Sequence, residues 1–450
     1  MKQLSLGILA SLLLSSSSFS ATLSKNIQDS SLVVYNGGIG LVHEKRSLSV
    51  NKNDTQIVYE GVANTIDTDS VNIKLTDAIT LKSQQYRFDK LTLQKLLDAH
   101  IGKTIEVQIK GKSSTKKINA ILLSHSTNTA LVKTANSKIL STKTKDIIFK
   151  NIPKELITKP SLVWNIQTNR TLNTDLEIDY LINKISWKSD YILNLSDNTA
   201  HLNGWISIDN RSGKSFQDTR LNVLAGDINL ERTQVYRSNK VYASPMADSE
   251  QIIEQSHEGY HLYSVPTKVN LLNNEKTQIK FIDKSDIEIQ RRYSAYLSNP
   301  HYVHGENKND VTQYIDISGL DIALPKGVVR IYSKLDEQNI LLAQTRLKHT
   351  PKNEPIQLKV GTNFDLKVKQ TLVEKDDDKY RNNTTIQYTI TNSSAEIKTV
   401  ELLVPFNAHK DSKIRTTIPY TFKKGNLVAY LVKVYPQNSQ TFKANYISKK

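Results

Sequence analysis

The chain has 450 residues, 60 Lys and Arg against 44 Asp and Glu, a formal net charge of +16, and no cysteine. Without thiols there is no disulfide, no thiolate metal site, no cysteine nucleophile and no lipid-anchored lipoprotein. Twenty tyrosines and two methionines, with abundant Val, Ile and Thr, favour strands over helices, and the length suffices for several domains.

In chain order, MKQLSLGILASLLLSSSSFSATLS comes first. Lys2, an apolar stretch from Leu4 to Leu14 and then small residues follow the order of a secretory signal peptide, too short to span a bilayer. Cleavage is expected after Ser20, making 1–20 the signal. Since no later run is long and apolar enough to span, the mature chain is expected to be soluble and exported, to the periplasm before the cell surface or the medium. Residues 21–78 alternate as strands (SLVVY, GLVHEKRSLSV, TQIVYEGV, SVNIKL) around Asn36-Gly37-Gly38. No helix pattern follows those glycines, so they read as a hairpin turn and not as a phosphate cradle, which needs a helix N-terminus.

The pattern changes within 79–155. LTLQKLLDAHIG sets Leu93, Leu96, Leu97 and His100 or Ile101 on one helical face with Gly102 as a stop. Short strands follow (KTIEVQIKG, KKINAILLSHS, TALVKTA, SKILSTKTKDIIFKNIP), which predicts a small inserted β-barrel of the Sm or SH3-like type. Residues 79–155 hold 15 Lys or Arg against 5 Asp or Glu. Lys103, Lys110, Lys112, Lys116, Lys117, Lys143 and Lys145 are its candidate anion-binding residues, an anionic envelope polymer or membrane surface being the partner expected of an exported cation. The competing reading is that these lysines only keep strand edges soluble.

Residues 156–231 read as a central β-sandwich and 351–450 as a C-terminal one, both immunoglobulin- or fibronectin-like, with a β-rich connecting region over 261–350 and strands 21–78 completing the central sandwich. In each, a strand runs into an Asn/Ser turn and out again: LNGWISIDNRSGKSFQDTRLNVLAGD through Asn210-Arg211-Ser212-Gly213, and TTIQYTITNSSAEIKTVELLVPF through Asn392-Ser393-Ser394-Ala395. Trp164, Trp187 and Trp205 are expected to pack the central core rather than to line a sugar site. Residues 232–260 read as a linker with at most one short helix near Asp248 to Gln255.

Across the end of that linker runs His257-Glu258-Gly259-Tyr260-His261, an H-E-x-x-H. The spacing binds zinc only on a helix, where residues four apart share a face and the glutamate activates the bound water. Here Gly259 interrupts it, HLYSV alternates like a strand, and no third ligand follows at the usual spacing. His257, Glu258 and His261 are therefore rejected as metal ligands, and a zinc-dependent hydrolase is kept as the alternative function. His301, His304 and Glu306 read as a solvated loop, and Asp376-Asp377-Asp378 as a hairpin tip. No catalytic residue, cofactor or nucleic-acid partner is expected, and the oligomeric state stays open.

Several blocks resemble a bacterial exported family known as domain of unknown function 4139. They are VVYNGGIGLVHEKRSLSV, the segment around Ser186-Trp187, Asp190-Tyr191, Gly204-Trp205 and Ala225-Gly226-Asp227, then YHLYSVPTKVNLLNNEKTQIKF and LPKGVVRIYSKLDEQNILLAQTRLKHTPKNEPIQLKVG. The resemblance implies a β fold and an exported compartment, makes His261 part of a strand, and brings no catalytic residues. Some relatives are labelled mucoidy-inhibitor-like, but they carry a coiled coil and this chain has no heptad run. The expected function is a non-enzymatic envelope binding or scaffolding protein, with sandwich edge strands open to protein partners by strand addition.

Overall fold

Alternation of apolar and polar residues decides the architecture. In Ile39–Val50, Val42, Glu44, Arg46, Leu48 and Val50 are buried while their neighbours are partly or fully exposed, the period of a strand with one face on a core. The computed structural model describes residues 20–110, 115–153, 156–225, 253–257, 260–407 and 412–449, with 110, 253–257 and 260 described as backbone only. The protein is mainly β, a β-sandwich fold with a half-barrel sheet and one α-helix among the described residues. The signal-peptide expectation lies outside the described residues, which open with the strand Ser20–Leu23.

Two compact units divide the chain. Within the described ranges the first comprises residues 20–186, 209–225 and 267–276, and the second 187–208, 253–266 and 277–449. In the first, Asp29–Tyr35 and Ile39–Val50 form a hairpin, and Leu172–Asn183 pairs antiparallel along the whole of Ile39–Val50. Phe216–Ala225 adds in parallel to Asp29–Tyr35, Leu221 facing Leu32. Gln56–Glu60 pairs with Ser161–Thr168, which sets Trp164 opposite Ile57. Trp164 is fully buried, edge-on to Tyr59 at 5.7 Å, and its Nε1 donates to Gln84 Oε1 at 2.7 Å.

Ile79–Arg87 corrects the expected start of the barrel. It is a strand of this sheet, paired along Ser161–Thr168, because the small core that follows closes without it. That core consists of Leu97, Ile105, Val107, Ala120, Leu122, Ala130, Val132 and Ile147. The helix Leu93–His100 starts on Thr92, whose Oγ1 accepts from Lys95 N, and stops at Gly102, where φ is +76°. Five strands follow, in the sheet order Ile139–Lys143, Thr129–Thr134, Thr115–His125, Thr104–Lys110, Ile147–Ile148. His125 ties the helix to the sheet, Nε2 donating to Asp98 Oδ1 at 2.8 Å while Gln94 Nε2 donates to its Nδ1 at 3.0 Å.

In the second unit, Ile185–Leu195 and Gly327–Leu335 pair in parallel, Tyr191 facing Val329, and Gln338–Leu347 pairs with the outer side of Gly327–Leu335. A nine-stranded sheet folds over on itself through the long strands Glu306–Ile317 and Ile356–Lys375, whose pairing shifts register at Asp310/Val311 and Gln313/Tyr314. Its core contains Tyr293, Ala295, Leu297, Val303 and Val311. The C-terminal sandwich therefore begins well before 351, because the strands Gln290–Tyr296 and Glu306–Ile317 supply part of its apolar face.

The linker needs correcting as well. Residues 226–252 lie outside the described residues, but Ile253–His257 is a strand paired antiparallel to Tyr260–Ser264. The expected helix does not form over Ile253 to Gln255, where backbone hydrogen bonds go to the partner strand instead.

The two Asn/Ser turns are one structure built twice. Asn210 Nδ2 donates to the carbonyls of Lys214, Leu271 and Leu272 at 2.8, 3.2 and 3.3 Å, and its Oδ1 accepts from Ser212 N and Oγ at 3.1 and 2.7 Å. Asn392 Nδ2 donates to Glu396, Val434 and Tyr435 at 2.8, 3.2 and 3.3 Å, and its Oδ1 accepts from Ser394 N and Oγ at 3.0 and 2.7 Å. In both, the outgoing strand starts six residues after the Asn and pairs in parallel with its neighbour.

Candidate functional sites

His257 and His261 stand on two paired strands, not on one helix. His257 ends one strand and pairs opposite Tyr260, while His261 pairs opposite Ser256 on the other strand; Glu258 and Gly259 lie outside the described residues. Neither of these two strands offers the i, i+4 face of a helix that the zinc chemistry needs. The histidine loop is also committed elsewhere. Thr384 Oγ1 and Ser448 Oγ lie 2.9 Å from His301 Nδ1 and Nε2, and the ring packs on Phe406 at 5.9 Å. Burial pushes the His301 imidazole below its ordinary value. At the acidic tip, Asp378 Oδ1 accepts from Tyr380 N and Arg381 N, and Asp377 Oδ1 from Asn383 N, as in a hairpin end.

The half-barrel concentrates charge. Between residues 93 and 148 the chain carries ten lysines against three acids, Asp98, Glu106 and Asp146. Strand register divides the six described candidate lysines among separate parts of the module. Lys110, Lys116 and Lys117 stand at the tip of the Thr104–Lys110 and Thr115–His125 hairpin, with Lys112 outside the described residues. Lys103 lies beside Leu122, whose N–H donates to the Lys103 carbonyl at 3.1 Å. Lys143 ends the edge strand opposite Thr129, and Lys145 sits in the single turn that follows it. Lys117 pairs with Glu106 at 3.1 Å, whereas Lys116, Lys143 and Lys145 are exposed and form no ion pair with a described residue.

The sheet of this module has two contrasting faces. Ala120, Leu122, Ala130 and Val132 point into its core. On the outer face, Ile121, Lys133 and Ile139 lie directly opposite one another across three strands. Leu131 is two residues from Lys133 on the same side, and Lys143 is four residues from Ile139. Ile121, Leu131 and Ile139 are 40%, 44% and 63% exposed. Sequence reading counted the lysines of this module but missed the aliphatic residues between them, although the alternation in TALVKTA and SKILSTK would have shown it.

A second constellation also escaped the sequence reading: a buried charge cluster in the first unit. Glu44 is fully buried, with Lys214 Nζ on Oε1 and Arg46 Nη2 on Oε2 at 3.1 Å. Tyr59 Oη donates to Oε2 at 2.5 Å, and Lys214 Nζ donates to Tyr180 Oη at 3.1 Å. The Arg46 guanidinium lies over the Tyr59 ring at 4.1 Å, and its Nε has no partner among the described residues. Burial works to raise the Glu44 carboxyl, but Lys214 and Arg46 outweigh it and hold the group below its ordinary value. Burial in turn pushes the Lys214 ammonium down. The cluster fixes the first corner from inside, since the Lys214 carbonyl accepts from Asn210 while its side chain reaches Glu44.

No family model matches the chain, and no curated protein matches it.

Proposed function

We propose that the protein is a non-enzymatic binding or scaffolding protein of the cell envelope, exported by its N-terminal segment, whose basic half-barrel contacts an anionic envelope polymer or surface. The observation that carries this reading is the excess of ten lysines over three acids within a module that has its own core. Such a field attracts polyanions over about 8–10 Å at moderate salt. The resemblance to the exported family, proposed in the same spirit, supports the compartment. Co-sedimentation of the mature protein with isolated envelope fractions tests it, with Lys116→Gln/Lys117→Gln/Lys143→Gln/Lys145→Gln run alongside. Pelleting that high salt and the charge-reduced variant both abolish supports the reading. Pelleting indifferent to both shifts attention to sandwich edge strands, and no pelleting sinks it.

A further inference from the structure

We infer that the outer face of the half-barrel sheet, over Thr115–His125, Thr129–Thr134 and Ile139–Lys143, docks on an anionic lipid bilayer surface. This rests on the proposed polyanion reading and narrows it to one partner. A soluble polyanion needs only cations. This face offers something more: Ile121 and Ile139 flank Lys133 in one cross-strand row, with Leu131 beside it and Lys143 further along the edge strand. All three aliphatic side chains are substantially exposed, Ile139 the most at 63%. Neither Lys133 nor Lys143 forms an ion pair with a described residue.

Apolar groups interleaved with cations match the boundary between lipid headgroups and acyl chains. There the ammonium groups meet phosphates while the aliphatic side chains leave water. The opposite face of Thr115–His125 and Thr129–Thr134 is filled by Ala120, Leu122, Ala130 and Val132 in the module's core. The outer residues are therefore surplus to folding, and Thr at those positions keeps β-propensity.

Flotation of the full mature chain with pure phosphatidylglycerol vesicles, pure phosphatidylcholine vesicles, and soluble polyphosphate as a charge-only ligand tests the inference. The wild type is expected to float with phosphatidylglycerol and not with phosphatidylcholine. Ile121→Thr/Leu131→Thr/Ile139→Thr should weaken vesicle binding by about tenfold or more while leaving polyphosphate binding unchanged. Lys133→Gln/Lys143→Gln should weaken both, by about fivefold for each lysine lost. Matching urea midpoints for wild type and variants check that the fold is intact; if the threonine variant unfolds, the single substitution Ile139→Thr at the sheet edge replaces it. Vesicle binding that survives the threonine changes overturns this inference. Polyphosphate binding without vesicle binding overturns it too but leaves the polyanion reading standing, and binding to neither overturns both.

Discussion

The Asn210 and Asn392 corners share their hydrogen bonds almost atom for atom, yet the interiors beside them differ. Four residues after the first Asn comes Lys214, which reaches into the core to a buried carboxylate. Four residues after the second comes Glu396, which stays outside and pairs with Lys398. The core behind the second corner is closed by neutral groups, with Tyr446 Oη 3.0 Å from Tyr388 Oη and 2.7 Å from Tyr430 Oη. One local solution for leading one strand into the next thus tolerates either an ionic or a phenolic interior. The turn depends on an amide and a hydroxyl, while the interior depends on what the facing strands supply.

The largest difference between the two regions should appear on removing the buried carboxylate. Glu44→Gln leaves Lys214 and Arg46 without a counter-charge in a buried site and should cost about 3–5 kcal/mol. Hydrogen exchange of Ile39–Val50 and Leu172–Asn183 reads that loss locally, and a cost near zero would mean that the cluster is not ionised. Asn210→Ala and Asn392→Ala come next. Each removes an amide that donates to three carbonyls and should cost about 2–3 kcal/mol; the comparison sharpens if the costs agree and breaks if only one corner matters. Tyr446→Phe, which removes one hydroxyl from the phenolic group, should cost about 1 kcal/mol in denaturant unfolding followed at the C-terminal strands.

Acid should separate the regions with the smallest effect. His301 titrates below its ordinary value, so its contribution is complete above that value and drains as pH falls through it towards the folded one. Glu44 is held below the ordinary carboxylate value, so the first region keeps its ionic stabilisation until pH falls beneath that value. Urea midpoints by hydrogen exchange should thus drop first for the strands Arg381–Asn392 and Asn438–Lys449. His301→Gln should flatten that early drop, and an unchanged slope would assign it elsewhere. At the alkaline end, the lowered Lys214 value means that the penalty for burying its ammonium is relieved as pH rises through the folded value towards the ordinary one.

Much of the fold was legible because period two is a strong signal over long strands. The alternation in GLVHEKRSLSV and TTIQYTITN led directly to Ile39–Val50 and Arg381–Asn392. The repeated Asn/Ser turns could be read from sequence spacing, though not their shared hydrogen bonds, which need carbonyls far along the chain. Glu44 and Arg46 stood at the core-facing parity of their strand, beside Val42 and Leu48, and that parity was the missed clue. Their partner Lys214 could not be found from sequence, since 170 residues separate it from Glu44. The Ile79–Arg87 strand was misplaced because an edge strand with one buried residue carries little pattern. The strand Ile253–His257 was lost because a five-residue polar strand carries still less.

The order in which the strands leave the ribosome follows from their pairing. The helix and five strands of the half-barrel are contiguous, and their core is complete once Ile147 has been made. The unit that hosts them is not, for Phe216–Ala225 still awaits Val269–Leu271, with Phe216 facing Leu271. Synthesis from the N-terminus therefore delivers a finished insert into an unfinished host. During that interval, Asp29–Tyr35 and Ile39–Val50 wait with their apolar faces open for strands not yet translated.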